Sequence, residues 1–156
     1  MIVIDIPGKK QLKMNHLVLD VNGTIACDGC LIDGVVNRLR QLSGQLEIHL
    51  LTADTHGRQN EIDRQLNLKA QRIQAGNEAE EKAHYVQQLG AESVVAVGNG
   101  ANDVGMMNRA ELSVAVLGPE GLSVETTKTA DVVVRDINDA LDLLLSPNRL
   151  IATLRR

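Results

Sequence analysis

Runs of aliphatic residues alternate along this chain with stretches whose apolar positions recur every three or four residues. The aliphatic runs read as strands over residues 1–6, 12–19, 46–51, 70–74, 93–97, 112–117 and 131–134. Pro7-Gly8 supplies the turn after the first run, which is expected to be an edge strand of an antiparallel pair. The helical stretches begin at Asp33, with Val35, Val36, Leu39 and Leu42 on one face and Gly44 as the stop. A polar, exposed helix is expected over 55–66. Asn77 can cap a helix that runs to Leu89 and closes at Gly90. Shorter helices follow over 103–109, 122–129 and 137–145. Pro147 breaks the pattern before a last helical piece over 149–154.

Strand and helix in alternation, with strands apolar on both sides, predict an α/β fold. The expected architecture is a three-layer, Rossmann-like parallel sheet with helices on both faces and a short N-terminal antiparallel strand pair. Residues 1–156 form one domain. Such sheets bind ligands beyond the carboxyl ends of their strands, where strand order reverses. Sorting the polar residues by that rule leaves a short set. Asp20 and Asn22 follow the strand ending at Leu19. Thr52 and Asp54 follow the one ending at Leu51. Asn99, Asn102 and Asp103 follow the one ending at Val97, and Lys82 lies on a helix whose first half can face the same edge. The lysine and the hydroxyl suit phosphoryl oxygens, and a carboxylate suits Mg²⁺ or acts as a nucleophile.

Composition removes other classes. The net charge is −4 and the only aromatic among Phe, Trp and Tyr is one tyrosine, so neither a basic surface nor base-stacking rings point to nucleic acid. No stretch is long and apolar enough to span a membrane, and the first residues lack the order of a signal peptide. The expected compartment is the cytosol. With 44 % hydrophobic residues the chain can bury a sizeable aliphatic core. Cys27 and Cys30 are too few for a disulfide scaffold.

The chain resembles the haloacid dehalogenase superfamily of phosphohydrolases over nearly its whole length. Asp20-Val21-Asn22-Gly23-Thr24 matches the first signature, Leu50-Leu51-Thr52 the second, Lys82 the third and Gly98-Asn99-Gly100-Ala101-Asn102-Asp103 the fourth. Within the superfamily it is similar to the soluble proteins related to the phosphorylation domain of P-type ATPases. Its size also matches small sugar-phosphate phosphatases that work as oligomers. The resemblance implies that Asp20 is the nucleophile and that Thr52 and Lys82 bind and neutralise the phosphoryl group. It implies Mg²⁺ as cofactor, held by Asp20, the backbone carbonyl of Asn22, Asn99 and Asp103, the last directly or through water. Backbone N–H groups around Gly23 are expected to help cradle phosphate. Asn102 is expected to hold its loop or touch phosphate.

Two positions depart from the family pattern. Asn22 stands where phosphatases carry the aspartate that acts as general acid and base, and a carboxamide exchanges no proton at neutral pH. P-type ATPases also lack that aspartate, and their aspartyl-phosphate is long-lived. Asn99 stands where an acidic metal ligand is usual, so weak metal binding is expected. The expected activity is a slow Mg²⁺-dependent phosphohydrolase or phosphotransferase acting through an aspartyl-phosphate on Asp20. The alternative is a catalytically impaired phosphate- or nucleotide-binding regulatory module. A weaker third reading is a subunit of a larger assembly.

No cap domain fits between the signatures. The site should therefore be open to a small phosphorylated substrate or to an exposed phosphate group, with a homo-oligomer as a means of covering it. Cys27-Asp28-Gly29-Cys30 reads as a hairpin turn flanked by two ordinary thiols rather than a zinc or redox motif. His84 is expected at the surface. The same holds for His56, although it has a reach to substrate. Asp54 is a ligand or a helix cap, and Thr24 is expected to be structural.

Overall fold

The computed structural model describes residues 1–54 and 57–155. The expected helix start at Thr55, and His56 with it, lie outside the described residues. In chain order the elements are β1 (Ile2–Ile4), β2 (Leu12–Met14), β3 (His16–Asp20), β4 (Ala26–Cys27), β5 (Cys30–Leu31), α1 (Val35–Leu42), β6 (Glu47–Thr52), α2 (Gln59–Leu66) and β7 (Gln71–Arg72). They continue with α3 (Glu78–Gln88), β8 (Val94–Gly98), α4 (Val104–Arg109), β9 (Leu112–Val116), α5 (Val124–Thr129), β10 (Val132–Val134), α6 (Ile137–Leu145) and α7 (Pro147–Leu154).

The central sheet has the order β10-β9-β8-β3-β6-β7, and its neighbours pair in parallel. The chain enters at β3, winds outward through β6 and β7, then crosses back to β8 and winds outward the other way. That is the doubly wound order, and its reversal lies between β3 and β8. The carboxyl ends of β3, β6 and β8 therefore share the crevice where a ligand is expected.

Side chains along a strand alternate between faces, and the core divides accordingly. Leu17, Leu19, Leu50, Val95, Val97, Val114 and Val116 pack with α1 and α6 through Val35, Leu39, Leu141 and Leu144. Val18, Leu51, Val94, Ala96 and Ala115 pack on the other side with Val86 of α3 and Met106 and Met107 of α4. Three layers result, as the sequence pattern implies.

The aliphatic run over 12–19 differs from expectation. It is two strands divided at Asn15. Leu12–Met14 pairs antiparallel with β1, with Ile2 opposite Met14, while His16–Asp20 joins the central sheet. Asn15 donates its N–H to Ser93 O and accepts from Glu47 N–H, each at 2.9 Å, which fixes the start of β3 between its neighbours. Hydropathy does not mark this break because both strands are aliphatic. Pro147 separates α6 from a last helix as expected, and it opens that helix itself, two residues earlier than expected: at the first helical position its missing N–H has no partner to lose. Asn77 occupies the N-terminal cap of α3 but makes no side-chain cap hydrogen bond.

The helices α3 and α4 approach closely at Gly105, where a Cβ would lie 2.3 Å from Ala79 O. Ala79 is one turn before Lys82 on α3, so spacing here sets the height of that lysine. Gly105→Ala is expected to destabilise the fold by about 1–3 kcal/mol through overpacking, read as a lower urea midpoint with an unchanged m value.

Candidate active site

Asp20 is the last residue of β3 and is 6 % exposed. It shares the parity of Val18, so it faces α3. There Lys82, on the same buried stripe as Val86, brings its ammonium against it. Lys82 Nζ donates to Asp20 Oδ1 at 2.6 Å and to Asp103 Oδ1 at 2.7 Å. Lys82 is 1 % exposed, so this helical lysine is no solvated surface charge. Asp103 Oδ2 accepts the N–H groups of Asn99 and Gly100, both at 2.9 Å, and so closes the turn after β8. Gly98 leaves the space for it: a Cβ there would stand 2.4 Å from Asp103 Oδ2.

Thr24 lies 3.1 Å through its hydroxyl from both Asp20 Oδ2 and Asn99 Oδ1. Asn99 Nδ2 donates to Gly121 O at 3.2 Å. On the β6 side, Thr52 Oγ1 accepts from Asp54 N–H at 2.9 Å and from Asn22 Nδ2 at 3.4 Å. Those two donors occupy its lone pairs and turn its hydrogen toward other acceptors. Asp54 in turn accepts from Gln59 N–H at 3.1 Å, so it secures the start of α2. Thus Asp20, Asn22, Thr52, Lys82, Asn99 and Asp103 come together at the carboxyl ends of β3, β6 and β8.

Residues 59–140 match the model of the haloacid dehalogenase-like hydrolases. The chain belongs to this family. An uncharacterized protein of Methanocaldococcus jannaschii is 42 % identical over 92 residues, which is 56 % of this chain and 99 % of that protein. A soluble P-type ATPase-like phosphatase of the same organism is 28 % identical over 127 residues, covering 80 % of this chain but only 46 % of the relative. Among solved structures, a Moraxella catarrhalis 3-deoxy-D-manno-octulosonate 8-phosphate phosphatase, in complex with magnesium ion, phosphate ion and KDO, superposes with a TM-score of 0.65. That match covers 91 % of this chain and 94 % of the other at 17 % identity, a likeness of fold.

The electrostatics of this candidate site are those of two buried carboxylates sharing one ammonium. Burial first, and then the charge of Asp103, push the Asp20 carboxyl up to about 7, against the opposing pull of Lys82 and Thr24. Burial alone would lower the Lys82 ammonium, but the two carboxylates outweigh it and hold its pKa above the ordinary value. The cluster is short of positive charge. Asp20 Oδ2 and Asn99 Oδ1 also converge on a single hydroxyl hydrogen. An oxygen-rich, charge-deficient corner of this kind fits a hard divalent cation such as Mg²⁺. Asp103 fits that role least well: it is fully buried, and its Oδ2 already accepts two backbone N–H groups.

The loop after β3 is tied together by its own backbone. Gly23 donates its N–H to Ala26 O at 2.8 Å, and the N–H groups of Thr24, Ile25 and Ala26 all turn onto Val21 O. The N–H groups of residues 23–26 are thus taken up within the loop. Gly23 matters for space and conformation. It has φ +79°, and a Cβ would stand 2.7 Å from Asn99 Nδ2 and 2.9 Å from Glu120 Oε2. Glu120, from the loop after β9, is thus a carboxylate at the mouth that sequence reasoning missed. Its loop carries no signature, and only the fold brings it beside Gly23. Asn102 is exposed on the turn after β8.

Cys27 and Cys30 face each other across the β4–β5 hairpin, whose turn residues Asp28 and Gly29 both have positive φ. Both thiols are free. Partial burial, then Asp28 and Glu120, push the Cys27 thiol up, which disfavours the reactive thiolate. His84 is exposed and pairs with Gln88.

A raised carboxyl has a signed consequence for stability. In the metal-free protein the folded state holds the Asp20 proton up to about pH 7, whereas an ordinary aspartate releases it near 3.8. Unfolding therefore releases this proton between those values, so the contribution of Asp20 to stability falls as pH rises through the window and is flat above it. The Asp20→Asn protein lacks that slope. Urea midpoints of the two proteins across the window should diverge steadily, with the variant gaining on the parent toward neutral pH.

Proposed function

We propose that the chain is a Mg²⁺-dependent phosphohydrolase or phosphotransferase that works through an aspartyl-phosphate on Asp20. The observation that carries this reading is Asp20 itself, at the tip of β3 and held against Lys82 at 2.6 Å, with Thr52 on the neighbouring strand. A phosphoryl group above Asp20 would meet a fixed ammonium and a hydroxyl hydrogen at its equatorial oxygens. Mg²⁺, when bound, adds positive charge against those oxygens, with Asp20, the Asn22 carbonyl and Asn99 as its protein ligands.

In the first half-reaction an Asp20 carboxylate oxygen attacks phosphorus in line with the leaving oxygen. The P–O bond to the leaving group breaks, and that oxygen takes its proton from solvent because Asn22 has none to give. In the second, water attacks phosphorus and gives up its proton to solvent, the bond to Asp20 breaks, inorganic phosphate departs and the carboxylate is restored. Asn22 cannot take the proton from that water. Its side chain is instead held by Thr52, as an orienting group beside the phosphoryl position. The second half is therefore slow.

Among the described residues a short hairpin, β4–β5, stands where larger relatives insert a cap, which suits a small phosphorylated substrate or a phosphate presented on a larger molecule. A second copy of the chain is the natural cover for such a mouth. Among the described residues no helix is long and apolar enough to cross a membrane.

The test is a pair of variants assayed with Mg²⁺ and a generic phosphate ester. Asp20→Asn should lose turnover and fail to form the beryllofluoride adduct that the parent forms. Asn22→Asp should hydrolyse faster by ~10²–10⁴-fold, the usual worth of one assisted proton transfer. Equal activity of Asp20→Asn and the parent would remove the nucleophile. An adduct without turnover in either the parent or Asn22→Asp would favour the phosphate-binding module.

A further inference from the structure

At the opposite end of the sheet, where β3 and β6 begin, a second group of side chains has no part in this chemistry. Parallel pairing sets His16 of β3 beside Glu47 of β6, and Val18 beside His49. Paired residues share a face and so do residues two apart, so His16, Glu47 and His49 all point to the α3 side. Their ligand atoms lie within 4.8 Å of one another. His16 Nδ1 stands 3.1 Å from His49 Nε2 and 3.4 Å from Glu47 Oε2, and His49 Nε2 stands 3.8 Å from Glu47 Oε1.

We propose that His16, Glu47 and His49 bind a divalent transition-metal ion of the Zn²⁺ class, with water in the remaining position. Ligands at about 2.0–2.1 Å on a tetrahedral centre lie roughly 3.3–3.4 Å apart. The His16–His49 and His16–Glu47 separations bracket that spacing, and the Glu47 carboxylate lies near both rings, through Oε2 to His16 and Oε1 to His49, so side-chain adjustment brings one oxygen into place. Two nitrogens and one carboxylate are the donor set of open zinc sites. Tyr85 of α3 places its hydroxyl 3.0 Å from His49 Nδ1. With Nδ1–H donating to that oxygen, the lone pair of Nε2 is aimed at His16 and Glu47, the outer-sphere arrangement that orients histidine ligands. Burial holds the His49 imidazole below its ordinary pKa, which favours the neutral, metal-binding form. Glu47 is largely exposed and gives the ion its way in. Without an ion, the two ring nitrogens share one N–H; the metal would take the place of that proton.

Co²⁺ serves as the probe, titrated into full-length, metal-free protein with Mg²⁺ kept saturating. The expected result is a visible d–d absorption that saturates at one equivalent and is displaced by Zn²⁺. Glu47→Gln and His16→Asn should each weaken binding by at least about tenfold, and Tyr85→Phe by about tenfold through loss of the outer-sphere partner. Asp20→Asn and Cys27→Ser should leave the band in place, because their carboxylate and thiol lie at the other end of the sheet. Absence of the band in the parent, or an undiminished band in Glu47→Gln, would overturn the proposal. The cluster would then be a hydrogen-bonded histidine pair only. Glu47 is exposed, so its variant keeps the fold and decides the matter even if His16→Asn does not fold.

Discussion

One ammonium buried between two carboxylates governs this structure. Lys82 meets Asp20 at 2.6 Å and Asp103 at 2.7 Å with almost no solvent reaching any of the three. A buried charge is tolerated only when it is paired and its remaining donors and acceptors are satisfied. Three separate pieces of chain must therefore meet: the tip of β3, the middle of α3 and the turn after β8. The glycines at the meeting point follow from that demand. Gly98 leaves room for the Asp103 carboxylate, and Gly105 lets α4 approach α3 so that Lys82 can reach down.

The same triad sets the chemistry. Two negative charges share one positive charge, and the deficit falls on Asp20, whose carboxyl is pushed up to about 7 by burial and by Asp103. Asn22 and Asn99 occupy positions where carboxylates would deepen that deficit. As amides they keep oxygen donors at the site and add no charge. An amide at position 22 thus eases the electrostatics of the resting site, and in the proposed mechanism the same amide withholds the proton exchange that would speed hydrolysis. Both consequences follow from one substitution of nitrogen for oxygen.

Much of this was legible in the sequence, and the reason is topological. A doubly wound sheet gathers whatever follows its central strands at one edge, so finding strand ends was enough to find Asp20, Asn22, Thr52, Asn99 and Asp103. Lys82 joined that set because its helix can face the same edge; its burial was not legible, because a helical lysine is ordinarily at the surface. Other features were hidden for definite reasons. The break at Asn15 lies inside a run that is aliphatic on both sides. Glu120 reaches the mouth from a loop with no pattern of its own. The amides after Asp20 depend on a turn whose hydrogen bonds close inward on Val21 O. No spacing of residue types reports such a turn.

The histidine cluster was hidden because it depends on register. His16 and Glu47 are far apart in sequence, and only parallel pairing at that particular offset puts them side by side. That offset is the one that also places Asp20 beside Leu51, next to Thr52. The two ends of the sheet are therefore not independent. β3 carries His16 and Asp20, β6 carries His49 and Thr52, and α3 carries Tyr85 and Lys82. A slip of one residue between β3 and β6 would turn the histidines away from each other and would misplace Thr52 against Asp20. Contacts that pin the N-terminal ends of the two strands thus help to define the geometry at their C-terminal ends, where Asp20 and Thr52 stand.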